Sequence, residues 1–90
     1  PVWAISSTIN RRDATPIDSE EMVIFIKKVL ADKFGAKIQP PRIIYGGSVN
    51  DKDAGGFLSD GGVDGLLPGK ASLTPKKFLG IINTCEALSK

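Results

Sequence analysis

One short motif in this chain has the composition of an anion-binding loop. In YGGSVN, residues 45–50, Gly46 and Gly47 let the backbone approach a ligand closely. Ser48 follows with a hydroxyl and an N–H group. Backbone N–H groups presented in this way bind phosphate without a charged side chain.

A second motif, LPGKASL at residues 67–73, offers the same chemistry together with a cation. Gly69 and Lys70 supply backbone N–H groups and an ammonium group. The plainer interpretation of both motifs is that their glycines only turn the chain and that Lys70 is a solvated surface lysine.

The elements that position these motifs alternate along the chain. Thr15-Pro16 and Thr74-Pro75 are typical helix starts, because threonine caps a helix and proline fits its first turn. Apolar residues at helical spacing follow each start: Met22, Phe25, Ile26, Val29 and Leu30, then Phe78, Ile81, Ile82, Cys85 and Leu88. The predicted elements are strands Val2–Ile5, Arg42–Tyr45 and Val63–Leu67, and helices Pro16–Phe34, Asp51–Ser59 and Pro75–Leu88.

This alternation predicts an α/β fold with three parallel strands and helices packed against them. The 90 residues are enough for a single domain, residues 1–90. In such folds ligands bind at the carboxyl ends of the strands, where the loops at 6–15, 46–50 and 68–73 would meet. The fold therefore predicts that both motifs lie at one edge of the sheet.

Composition excludes several classes of function. The net charge of +2 is too small for a nucleic-acid binder, and no apolar run is long enough to span a membrane. The absence of histidine rules out histidine metal ligands and histidine-assisted nucleophiles within this chain. With one cysteine, Cys85, no intramolecular disulfide can form, which favours a reducing cytoplasm. We interpret Cys85 as a core residue and Trp3 as a core residue or loop anchor.

The order PVWAI, ATP, RIIYGGSV, VDG and GKASL resembles the triosephosphate isomerase family over essentially the whole chain. The resemblance implies a partial TIM barrel, (βα)3, equivalent to the sixth to eighth units of the C-terminal third. It also implies the family's reaction, the interconversion of dihydroxyacetone phosphate and glyceraldehyde 3-phosphate in glycolysis and gluconeogenesis. The family's catalytic glutamate directly precedes the Pro-Val-Trp found here at residues 1–3, and its lysine and histidine lie on earlier strands. We therefore expect no catalytic residue, metal or cofactor in these 90 residues, and no isomerase activity from them alone.

The resemblance also assigns the phosphate-binding residues, Ser48, Gly47, Gly69, Lys70 and Ser6. Gly69 matches the first glycine of a family pair, and Lys70 stands in place of the second. Ser6 stands where the family has a glycine.

By the same resemblance, Tyr45 and Ala14 match the two residues that latch the closed loop. The segment SSTINRRD is longer than the family's loop, which puts ordinary closure in question.

Partial barrels leave sheet edges and one apolar face uncovered. Exposed strand edges pair readily with another copy, so the alternative function is a natural or engineered module that self-associates, with a dimer favoured. The remaining partners that we expect are triose phosphate, phosphate or sulfate, bound weakly. A monomeric phosphate-binding domain is a third interpretation.

Overall fold

The computed structural model describes residues 2–4, 12–35, 37 and 39–89. Within them the chain forms an α/β arrangement of three helices, two strands and two 3-10 helices. In chain order these are a 3-10 helix Val2–Ala4, α1 (Pro16–Phe34), β1 (Ile44–Gly47), α2 (Ala54–Ser59), β2 (Gly65–Pro68), a 3-10 helix Lys70–Leu73 and α3 (Pro75–Leu88). The α/β class is as predicted, whereas the described residues contain two strands and not three.

The two strands form a parallel pair whose register aligns the ends of both motifs. Ile44 pairs with Gly65, and Gly47 pairs with Pro68. Each strand begins two residues later than predicted. The reason lies at Asp64, whose N–H donates to the Ile43 carbonyl (2.7 Å) and whose carboxylate accepts from the Ile43 N–H (2.8 Å). The Asp64 carboxylate thus takes the place of a backbone carbonyl as the partner of the Ile43 N–H, and regular strand pairing begins at the next residue of each strand.

The predicted strand at Val2–Ile5 is wrong over residues 2–4, which form a 3-10 helix, and Ile5 lies outside the described residues. A strand needs its backbone groups paired in a ladder. Here the Trp3 carbonyl instead accepts from the Arg12 N–H (2.6 Å), and the Arg12 guanidinium lies 3.9 Å from the centre of the Trp3 ring. Trp3 therefore holds Arg12, which precedes α1, and this agrees with its predicted role as a loop anchor.

Helix α1 has the bounds that its sequence predicts. The Thr15 hydroxyl accepts from the Asp18 N–H (3.2 Å), and the Asp18 carboxylate accepts from the Thr15 N–H (2.9 Å), which makes a capping box. Gly35 ends the helix at a φ of 82°. The Thr15 N–H bond, followed by the Arg12 side chain, lowers the pKa of Asp18. The cap therefore stabilises the fold above the pKa of an unfolded aspartate, and its contribution falls as the pH drops below that value.

Helix α2 is shorter than predicted, because residues 51–53 form a turn in place of its first residues. The Asn50 side-chain carbonyl accepts from the N–H groups of Lys52 (2.8 Å) and Asp53 (3.1 Å). Asp53 returns the interaction by accepting from the Asn50 N–H (2.7 Å). These bonds give the backbone an alternative to the helix, as asparagine and aspartate commonly do.

The core consists of two clusters of buried residues. The first contains Ala4, Ala14, Val23, Phe57 and Val63, and the second contains Val49, Ala54, Ala71 and Ile81. Tyr45 and Leu66, which face each other across the two strands, pack against both clusters. The sheet is therefore the element that joins them. Among the described helices, none combines the length and apolarity that crossing a membrane requires.

The side of α1 that packs inward differs from the predicted one. Ser19 and Val23 are buried, whereas Met22 and Phe25 are exposed. Apolar residues occur around most of this helix, so their spacing alone did not identify which side of the helix is buried. On α3 the predicted face is confirmed at Ile81, which is 3% exposed, and Cys85 packs against the second cluster as a partly buried residue. The other three residues of that face are exposed: Phe78, Ile82 and Leu88.

Candidate functional site

The two glycine-containing motifs meet at a cleft. Because Gly47 is the register partner of Pro68, the residues after each strand leave the sheet side by side. They line a cleft of about 330 Å³ together with the first turn of α3. We call it the strand-end cleft; its lining residues are Asp13, Gly47, Ser48, Val49, Asn50, Gly69, Lys70, Ala71, Thr74 and Lys77. The predicted convergence of Ser48, Gly47, Gly69 and Lys70 is thus found in the structure.

The first loop is a tight turn with a partly committed hydroxyl. The Val49 N–H donates to the Gly47 carbonyl (3.0 Å), and the Val49 side chain is buried. The Ser48 hydroxyl donates to the Ala4 carbonyl (3.1 Å). An anion in the cleft would therefore compete with Ala4 for the Ser48 proton.

The second loop accommodates lysine without strain. Gly69 has a φ of −94°, and a β-carbon added there would meet no atom within 4 Å. Lys70 is the first residue of a 3-10 helix, a conformation with negative φ that any L-residue adopts. The size of the Lys70 side chain and its preference for negative φ are therefore both compatible with the conformation of this loop. Ser6, the remaining predicted phosphate ligand, lies outside the described residues.

Of the predicted latch pair, Ala14 belongs to the first core cluster and Tyr45 packs against that cluster. The Tyr45 ring stacks on Phe57, with 4.4 Å between ring centres and 12° between ring planes. Its hydroxyl is buried and has no hydrogen-bond partner among the described residues. A β-carbon added at Gly47 would lie 2.6 Å from this hydroxyl oxygen, so any larger residue there would require the Tyr45 ring to shift.

The same surroundings keep Tyr45 neutral. Burial raises the pKa of Tyr45, and the negative charges of Asp53, Asp13 and Asp18 raise it further. Since the folded-state pKa lies above the ordinary value of 10.0, folding is favoured by the neutral phenol below that pH. This contribution is lost as the pH rises through the folded-state pKa. At neutral pH the phenol is therefore a donor with an unfilled hydrogen bond.

Sequence reasoning missed several residues of the cleft, of which Lys77 is the most consequential. Lys77 is the third residue of α3, whose Thr74-Pro75 start the sequence marks clearly. The signal that could have found it was the short connection between Lys70 and that helix, which returns the first helical turn to the same edge. Among the described residues, no group of three or more His, Cys, Asp or Glu side chains is close enough to hold a metal ion.

Comparison with known proteins decides the family. The family model described as triosephosphate isomerase matches residues 1–85. The chain belongs to the triosephosphate isomerase family. Its relatives include the triosephosphate isomerases of Zygosaccharomyces bailii (47% identical over 85 residues, 93% of this chain and 33% of that protein) and Yarrowia lipolytica (46% over 84 residues, 93% and 32%). The Thermus thermophilus enzyme is 46% identical over 83 residues, which are 91% of this chain and 32% of that protein.

The chain spans about a third of the length of these triosephosphate isomerases. The resemblance found in the motifs is therefore confirmed at the level of the family. The assignment of these elements to the sixth to eighth barrel units stays a prediction from the motifs.

Proposed function

We propose that this chain is the phosphate-binding portion of a triosephosphate isomerase, with the strand-end cleft as its phosphate site. The observation that carries the proposal is the meeting of two loops, at Gly47–Ser48 and Gly69–Lys70, in one cleft. The ligand would be the phosphate of a triose phosphate, and the whole protein would interconvert dihydroxyacetone phosphate and glyceraldehyde 3-phosphate in the cytoplasm. The 90 residues alone would bind phosphate without isomerising.

The lining of the cleft supports an anion as its ligand. Its described lining residues include two lysines and one aspartate, whose net charge is +1. Backbone N–H groups of glycine-containing loops add partial positive charge at the same place. We also propose that Tyr45 and Ala14 form the latch of a closing loop. The Tyr45 hydroxyl supports this role, because it lies beside Gly47, is buried and has no hydrogen-bond partner among the described residues.

Titration with inorganic phosphate tests the proposal. We expect the amide resonances of Ser48, Gly69 and Lys70 to shift with a dissociation constant of about a millimolar or weaker, about 4 kcal/mol, because an open site offers a few N–H bonds and screened charge. The same preparation should show no turnover of glyceraldehyde 3-phosphate in a coupled assay. Amides that stay still at tens of millimolar, or turnover within about a hundredfold of an ordinary isomerase, would contradict it.

A second candidate function, self-association, is favoured by the apolar surface around the sheet. Ile44 on β1 is 60% exposed and Leu67 on β2 is 69% exposed. A groove of about 220 Å³ runs between α1 and β1, with Met22, Ile26 and Ile44 in its lining. Burying apolar surface of this kind contributes roughly 25 cal/mol per Å² to the free energy of association. A second copy of the chain has the same apolar surface and is therefore a suitable partner.

Sedimentation of the chain at micromolar concentration tests this candidate. We expect a species of twice the 9.6 kDa chain mass, and we expect Ile44→Lys to convert it to monomer because the charge enters the apolar groove. Ile24→Lys is the matched control, since Ile24 is also 60% exposed and does not line the groove. A monomeric parent chain, or an equal effect of both substitutions, would refute the candidate.

A further inference from the structure

Lys77 has no part in the phosphate-binding motifs, yet it lines the strand-end cleft with them. It lies on a different element from Lys70, so two cations approach the cleft from the 3-10 helix and from α3. Its neighbour Lys76 belongs to the same helical turn and does not line the cleft. The two adjacent lysines therefore differ in position while sharing helix, charge and exposure.

The location of Lys77 is unfavourable for a cation unless an anion is present. It lies in the first turn of α3, where the helix dipole is positive, and that turn contains no acidic residue. A lysine here lowers helix stability slightly by repulsion. A doubly charged phosphate in the cleft would make the position of Lys77 favourable, because the phosphate attracts both the ammonium group and the positive end of the helix.

The charge balance of the cleft also depends on Lys77. Among the described lining residues, Lys70 and Lys77 oppose Asp13, for a net charge of +1. Without Lys77, the ionisable side chains among the described lining residues would be Lys70 and Asp13, with no net charge. Among the described lining residues, the net attraction for a dianion would then come mainly from backbone N–H groups.

We propose that Lys77 is a second cationic phosphate ligand of the strand-end cleft and, with Lys70, sets its preference for doubly charged phosphate groups. The inference rests on the phosphate-binding role proposed above. It adds a specificity-determining residue from α3 to a site otherwise built from the two strand-end loops.

The test is a phosphate titration of the full 90-residue chain carrying Lys77→Gln, at a constant ionic strength maintained with sodium chloride. We expect the dissociation constant for inorganic phosphate to rise about threefold to tenfold, the effect of removing one nearby charge at a solvated site. Lys76→Gln changes the net charge equally and should alter the constant less than about twofold. Because both lysines are exposed, the amide spectra without phosphate should remain those of the parent chain.

The outcomes separate this inference from the proposed function. Normal phosphate binding with equal effects of Lys77→Gln and Lys76→Gln would overturn the role of Lys77 and leave the phosphate site standing. Absence of binding in the parent chain would overturn both. A selective loss in Lys77→Gln supports both.

Discussion

Replacing Phe57 with alanine is expected to lower the free energy of unfolding by about 3–5 kcal/mol. Phe57 is 0% exposed and is the largest fully buried side chain among the described residues. It also supplies the ring on which Tyr45 stacks. The substitution would open a cavity between α2 and the sheet and remove an aromatic pair worth a further fraction of that energy.

Urea denaturation followed by circular dichroism measures this loss. Phe34→Ala, at the end of α1, is the matched control, because Phe34 is 62% exposed and should lose less than about 1 kcal/mol. Where Phe57→Ala leaves too little folded protein for a transition, Phe57→Leu provides a milder loss that can be measured. Equal midpoints for the Phe57 and Phe34 variants would show that Phe57 is not a core residue.

The substitution Gly61→Ala is expected to be the second most damaging, at about 2–4 kcal/mol. An added β-carbon would lie 2.6 Å from the Phe57 carbonyl oxygen and 3.0 Å from its Cα, and these backbone atoms cannot move away as a side chain could. Moving residue 61 instead would disturb the hydrogen bond that the Ser19 hydroxyl donates to its carbonyl (3.0 Å). That bond is buried and ties α1 to the end of α2.

Gly65→Ala is the control for this prediction, since its β-carbon would lie 3.7 Å from Ile44 Cγ1, an ordinary van der Waals distance. We expect a change within about 1 kcal/mol there. Thermal unfolding of the two variants gives the comparison. Similar melting temperatures would mean that the backbone at residue 61 can relax at little cost.

The sequence predicted those parts of the fold that depend on local chemistry. Both long helices have the predicted bounds, because their start and end signals act within one turn of the chain. Thr15 caps α1 and Gly35 ends it, whereas the Thr74 side chain makes no capping hydrogen bond and α3 begins at Pro75. The convergence of the two glycine-containing motifs was also predictable. It follows from parallel strands whose carboxyl ends lie at the same edge.

What the sequence could not predict depends on partners distant along the chain. The segment Val2–Ala4 has strand-like residues, but its carbonyl groups bond to Arg12 and Ser48. The predicted strand ended at Tyr45, yet the observed pairing continues through Gly46 and Gly47, because backbone hydrogen bonds need no side chain. Lys77 was missed because its proximity to the cleft depends on the path of the chain after Lys70.

The hydroxyl of Tyr45 above Gly47 limits the order in which these two positions can change during evolution. Any side chain at position 47 meets that hydroxyl, and the ring cannot turn aside freely while it is stacked on Phe57. A lineage that alters position 47 first meets this clash, whereas one that first replaces Tyr45 with a smaller residue removes the clash but loses the packing of the ring on Phe57. The effect of a substitution at position 47 thus depends on the residue at position 45, and the same alanine would be tolerated in one ancestor and rejected in another.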